Sequence, residues 1–352
     1  MFVYFGIFFL IVLMSIAEIF TKSNKFFYAA GVIMILFSGL RFEMGYDYNS
    51  YRVFFEKITS FSDIFNGGID AEPGYLFFNF LFSVFGLTFY HFLFFFSVIS
   101  VSLLMIFLNK SIPYPTMGLV YYYARFFIVR DMGQIRSSIA CIICLFAIPF
   151  IKGKRWVPFL IIVGIASLFH IVSLAMILVY LFYHMFSEIT VKSGLVWMAV
   201  CQLGSVILSI PSLYIWLIPG RYATYFTSTA YTSGSGLLNP ILWMQMAIFI
   251  GASYTFLSKK NINYTNQEVV LKEYFLSSLI LILFGSLGTV GGRISTVFAT
   301  TEILVVPLMF QHLLKNKYIS LIAFYLFSLV VLILIFVVSG AYNGYVPYDT
   351  VF

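Results

Sequence analysis

An all-α, polytopic integral membrane helical bundle is the fold class this sequence predicts, on three observations. The 352 residues are 62% hydrophobic and only 9% charged, with a mean hydropathy of +1.00, whereas soluble domains carry roughly a quarter charged residues. Uncharged apolar stretches long enough to cross a hydrocarbon core of about 30 Å recur from end to end. These stretches are apolar on all sides, where a β-barrel would show segments of about 10 residues alternating in polarity. Each must be helical, because lipid offers backbone amides no partner.

Taken in chain order, the first span, 1–20, lacks a basic leader. Glu18 and Thr21 stand where a small-residue cleavage site would be expected, so it reads as a retained span. Apolar runs follow at 25–40, 88–108, 113–128, 134–151, 156–169, 170–187, 193–217, 239–258, 270–288, 293–312 and 318–339. They predict about twelve crossings in a single transmembrane domain over 1–352. The stretch 72–108 is too long for one span and short for two plus a loop, so Glu72 to Gly86 reads as a re-entrant or interfacial helix. The runs 156–169 and 170–187 meet at His170 with almost no loop, which predicts a broken or sharply turned pair. Cys141 and Cys144 form a C-x-x-C inside an apolar run. A lone pair supplies half a zinc shell, so these two and Cys201 read as packing and no metal is expected.

The connections sort by charge. Lysine-bearing segments at 22–25, 152–155, 187–192, 259–272 and 315–317 belong to the cytoplasm by the positive-inside rule. The outer set comprises the loops 41–74 and 218–238, the turn 129–133, the turn at Gly291-Gly292-Arg293 and the C-terminal tail. Eleven of the twelve lysines then lie on the cytoplasmic side, while seven of the eight arginines lie outside or near it. Orientation bias acts on both cations, so it explains the lysines alone. Arginine offers a planar five-donor fork that grips phosphate oxygens and keeps its charge. An outward-facing anion site follows, and the net charge of +7 points to topology rather than to a nucleic-acid partner.

The richest outer segment is Gly39 to Tyr51. It sets Arg41 at the membrane surface beside Glu43 and Asp47, a cation and two carboxylates suited to a head group whose phosphate needs neutralising and whose hydroxyl needs a base. Tyr46, Tyr48 and Tyr51 are placed to stack on sugar rings; the plainer reading is an aromatic belt. Glu72 closes the same loop and joins the substrate-facing set. Arg130-Asp131-Met132-Gly133-Gln134-Ile135-Arg136 opens a span and puts Arg136 one and a half turns into a helix, at a depth where an ionisable group is costly. Arg130 has Asp131 as an alternative ion-pair partner. His170 interrupts an apolar run and is either hydrogen-bonded to a helix carbonyl or a base at the outer end of a broken span. Arg221 and Arg293 complete the set, Glu302 being the alternative, purely structural partner for Arg293.

Gly39-Leu40-Arg41 with Asp47 and Tyr51, Gln134-Ile135-Arg136 before an apolar run, and Ser167-Leu168-Phe169-His170 together resemble the EpsG family, which contains Wzy-type O-antigen and exopolysaccharide polymerases. The likeness covers about 30–185. The family usually has Arg-Gln where this chain has Arg136-Ser137, and Gln134 is positioned to substitute. The resemblance implies a fold like that of multispanning lipid-dependent (GT-C-like) glycosyltransferases, similar to O-antigen ligases. It also implies an enzyme of the bacterial inner (cytoplasmic) membrane whose active site faces the periplasm or exterior. That enzyme would move a glycan from undecaprenyl diphosphate to the next lipid-linked repeat unit, using no nucleotide sugar, metal or other cofactor. Expected partners are the undecaprenyl-diphosphate-linked oligosaccharide, membrane lipid and a chain-length regulator.

On that reading Asp47, His170 and Arg136 are the catalytic candidates. Arg41, Glu43, Tyr51, Glu72, Arg130, Gln134, Arg221 and Arg293 are the substrate-binding ones. Three other readings compete. A ligase shares the chemistry. A flippase for the same lipid-linked oligosaccharide calls for internal repeats and none is visible. A sugar acyltransferase calls for a His beside an acid, and His170 has no carboxylate adjacent in sequence.

Overall fold

The computed structural model describes residues 1–66, 68–186, 189–232, 234–258 and 266–352. Among them every regular element is helical, the sole β pairing being an isolated antiparallel bridge from Arg41 to Thr350. Among the described residues three helices are long and apolar enough to cross a membrane: Phe2–Thr21, Phe89–Ser111 and Lys317–Val338. Gly288–Ala299 and Glu302–Leu313 together form a fourth, bent by 55°. Length and composition therefore license three or four crossings against the twelve expected. Most other expected spans are shorter apolar helices, among them Lys25–Gly39, Trp156–Ser167 and Pro240–Phe256. Hydropathy adds up along the chain irrespective of where a helix breaks, and several of these runs contain breaks.

The breaks have visible causes. The first helix ends at Lys22 in the left-handed region, its amide bonded to Glu18 O. Glu18 is buried and accepts the Thr116 amide at 3.1 Å, the free donor at the start of Pro115–Tyr122. That helix loosens into a π turn, Tyr123–Phe127. Inside it Arg125 pairs with Glu302 at 3.2 Å while Tyr121 donates to the same carboxylate at 2.8 Å. The chain leaves helical geometry before Gln134, and a new helix runs Ile135–Leu145. The break expected at His170 is present: Trp156–Ser167 ends, His170 is extended, and Ile171–Ala175 is a 3-10 turn before Met176–Met185.

The segment expected to re-enter is the helix Pro73–Val84. Twelve residues rise about 18 Å, short of an approximately 30 Å core. It packs with Tyr48–Lys57 and Phe89–Ser111 around an aromatic cluster of Tyr48, Tyr51, Tyr75, Phe89, Phe92 and Phe96. A larger core joins the remaining helices and takes in Cys141 and Cys144, both free and buried. The C-terminal tail is strapped across residues 40–45: Phe42 donates to Asp349 O, Val351 to Leu40 O and Gly45 to Gly344 O.

Candidate functional site

Segments far apart in sequence meet at the end of the bundle to which the arginine-bearing loops belong. Glu72 is the extended N-cap of Pro73–Val84. The next amides, Gly74 and Tyr75, donate to Leu168 O at 2.9 and 3.2 Å, at the end of Trp156–Ser167. A Cβ on Gly74 would stand 2.7 Å from that oxygen, so only glycine permits the approach. This docking brings Glu72 to the break at His170. Glu72 Oε1 lies 2.9 Å from His170 Nδ1 and accepts the Ile171 amide at 3.0 Å. Glu72 Oε2 accepts from Arg136 Nη1 at 2.5 Å.

Arg136 is the second residue of its helix, not one and a half turns in, because the chain is not helical at Gln134. Its guanidinium faces the rings of Tyr75 at 5.6 Å, Tyr51 at 5.7 Å and Phe54 at 5.8 Å. Three aromatic faces and one carboxylate thus hold the cation, while its buried Nε has no partner.

The opposite wall is built from Gly288–Ala299 and the segment around Tyr225. Arg293 donates to the Tyr225 hydroxyl at 3.3 Å and lies 5.2 Å from that ring. Glu302, its sequence-based alternative partner, pairs with Arg125 instead. Among the described residues no ion pair involves Arg293. Between the walls is a cavity of about 490 Å³ lined by Asp70, Glu72, Arg136, His170, Tyr225 and Arg293 on its polar side. Ile171, Val172, Ile218, Phe226, Val290 and Ile294 line its apolar side. The volume falls in the range of small-molecule sites, about 300–1,000 Å³.

Two loop carboxyls outside the spanning helices respond to this field in opposite ways. Burial raises the Glu72 carboxyl, but the His170 hydrogen bond and the Arg136 charge outweigh it and hold it down at about 2. At Asp47 burial prevails and pushes the carboxyl up, although Arg293, Arg136 and His170 each pull it down. Asp47 therefore lies within electrostatic reach of Arg293, Arg136 and His170.

The remaining candidates sit elsewhere. Arg41, expected open at the membrane surface, is 2% exposed; it donates to Ser38 O beneath the C-terminal strap. Glu43 is exposed and pairs with Arg52 at 3.3 Å. Tyr51 is buried under Arg136, and Tyr48 is buried as well, so neither ring is open to a sugar; Tyr46 is exposed. Arg130 donates to Thr300 Oγ1 at 2.8 Å and to Thr296 O and Oγ1. Asp131, its alternative partner, accepts from Ser100 and Tyr122. Gln134 stands at the N-cap position of the helix of Arg136 without a side-chain capping bond and does not line the cavity. Arg221 is on Gly220–Thr227, but its side chain lies outside the described residues. Sequence reasoning missed the Glu72 contacts and Tyr225. The available signal was an isolated membrane histidine, which needs an acceptor, and an acid preceding Pro73-Gly74 at a span entrance.

A family model described as the EpsG family matches residues 24–350. A curated relative, the amylovoran biosynthesis protein AmsC of Erwinia amylovora, is 26% identical, the match covering 87% of this chain and 83% of that protein. No solved structure gives a significant match.

Proposed function

The chain belongs to the EpsG family, and from that premise we propose that it is a membrane-embedded polysaccharide polymerase of exopolysaccharide or O-antigen type. Its donor is a glycan on undecaprenyl diphosphate and its acceptor the next lipid-linked repeat unit, joined at the outer face of the cytoplasmic membrane. One observation carries this reading: a single cavity, lined largely by apolar residues, holds an imidazole and an arginine that makes no ion pair among the described residues. The similarity to a protein named for amylovoran biosynthesis supports the polysaccharide class.

In the reaction the acceptor hydroxyl oxygen attacks the anomeric carbon. The new carbon–oxygen bond forms as the bond from that carbon to the diphosphate oxygen breaks, and the electron pair leaves with the diphosphate. His170 takes the hydroxyl proton as general base. Arg293 neutralises the charge growing on the leaving group, and its fork suits phosphate oxygens. The isoprenoid chain lies along Ile171, Val172, Ile218 and Ile294. Arg136 is engaged by Glu72, so it contributes field rather than a free fork. Asp47, at the edge of this field, is the alternative proton acceptor.

The contact between His170 and Glu72 also supplies the His–acid pair that sugar acylation would use. Family membership and the cavity arginine favour glycosyl transfer. Purified protein incubated in detergent with undecaprenyl-diphosphate-linked repeat units is expected to produce a ladder of chain lengths. No ladder with the correct repeat unit, or transfer of an acyl group instead, sinks the polymerase reading.

A further inference from the structure

We infer that Glu72 is a positioning residue that acts through His170: it fixes the imidazole with Nδ1 as the hydrogen-bond donor and leaves Nε2 as the basic nitrogen for the substrate hydroxyl. The assignment of Nε2 to a substrate rests on the transfer reaction proposed above. The assignment of Glu72 rests on geometry alone.

Both oxygens of the carboxylate are engaged. Oε1 takes His170 Nδ1 at 2.9 Å and the Ile171 amide at 3.0 Å, and Oε2 takes Arg136 Nη1 at 2.5 Å. An amide and a guanidinium only donate, and an ionised carboxylate only accepts, so the third partner, Nδ1, must bring its own hydrogen. In the neutral ring the lone pair then belongs to Nε2. The ring borders the cavity.

The ring is also held from its backbone. His170 is extended between a helix and a 3-10 turn, and the Ile171 amide shares its acceptor oxygen with Nδ1. One oxygen thus receives both the ring and the backbone amide that follows it. The approach of Gly74 to Leu168 O fixes the distance between the two segments. Three supports therefore converge on one carboxylate: a cation, a backbone amide and the docked start of a helix. A group that gripped substrate would keep an oxygen free, and Glu72 keeps none.

The test has two arms. In the first, protein labelled with [15N]histidine is studied by NMR in detergent at alkaline pH, with the His170 signals assigned by their loss in His170→Gln. The native ring is expected as the Nδ1–H tautomer, and Glu72→Ala, which removes the acceptor, is expected to shift it towards Nε2–H, the form a free neutral imidazole favours. A native Nε2–H ring, or a tautomer unchanged in Glu72→Ala, overturns the assignment. Because the native spectrum is decisive by itself, a variant that fails to fold does not rescue the idea.

In the second arm, Glu72→Ala is expected to lower kcat by on the order of 100-fold or more, as variants that lose the partner holding the catalytic tautomer do, while KM for the lipid-linked donor stays within about twofold. A rise in KM with kcat preserved would mean that Glu72 binds substrate, against the inference. An absent ladder with native protein would refute the polymerase reading and leave the NMR arm to decide Glu72.

Discussion

The two walls of the cavity present arginine in opposite states. On one wall Arg136 is bound by Glu72 and faces three aromatic rings. On the other, Arg293 touches only the hydroxyl and ring of Tyr225 among the contacts resolved. Both are partly buried guanidinium groups next to the same space. Charge at a membrane surface therefore does not by itself mark a ligand grip. What distinguishes the walls is whether the protein has already satisfied the cation, because a cation with its own carboxylate gains less from a second anion.

The largest expected effect probes what both walls face. Replacing His170 by Ala should lower turnover by about 10²- to 10⁴-fold, the usual worth of a positioned base, with a modest fall in thermal midpoint because Glu72 loses one of its partners. Near-native chain lengths from this variant would move the base to Asp47. Next comes the contrast between the walls themselves. Arg293→Ala should lower kcat/KM for the diphosphate donor by roughly 10- to 100-fold, the equivalent of one charged hydrogen bond of about 1.5–3 kcal/mol, and leave stability intact.

Arg136→Ala should do the reverse in part. It strands a largely buried carboxylate at a cost of about 1–3 kcal/mol, readable as a lower melting temperature, in addition to losing turnover. If Arg136→Ala weakened donor binding and Arg293→Ala weakened the fold, the comparison would be inverted.

A smaller effect tests how the first wall is assembled. The Cβ of Gly74→Ala would meet Leu168 O at 2.7 Å, and relieving that overlap costs about 1–3 kcal/mol. The helix start must then retreat and carry Glu72 from His170, so a fall in kcat should accompany the loss of stability. A stable Gly74→Ala variant with native kcat would dissociate the docking from the site.

The mildest perturbation is pH. The Glu72 carboxyl is depressed from an ordinary 4.5 to about 2, so its stabilising contribution is complete above the unfolded value and is lost as pH falls through the folded one. The difference in melting temperature between native protein and Glu72→Gln should be flat from about pH 8 to about pH 5 and shrink below about pH 4.5. Asp47 has the opposite sign, since burial raises it and its ionised form costs stability at neutral pH. Asp47→Asn should leave the melting temperature unchanged or slightly higher.

The site was legible to unequal degrees. His170, Arg136 and Arg293 stand out in sequence as ionisable groups at span ends, and all three line one cavity. Arg41 and Arg130 carry the same signal yet are buried against backbone and threonine oxygens. Hydropathy reports that a charge is anomalous without saying what satisfies it. Glu302 illustrates the same limit: its position along the chain suggests Arg293 as partner, whereas helix packing delivers it to Arg125.

Membrane residence, helical class and the broken span at His170 were determined by the sequence alone. Each depends on sums over neighbouring residues, and a continuous apolar run has no stable state in water whatever it packs against. The number of full crossings was not so determined, since a run of apolar residues carries no mark of where its helix bends, as between Ala299 and Glu302. Only the tertiary structure decided which acid meets which base. Glu72 reaches Arg136 across 64 residues and His170 across 98, distances over which chain order carries no contact information and the docking of one helix start against Leu168 does.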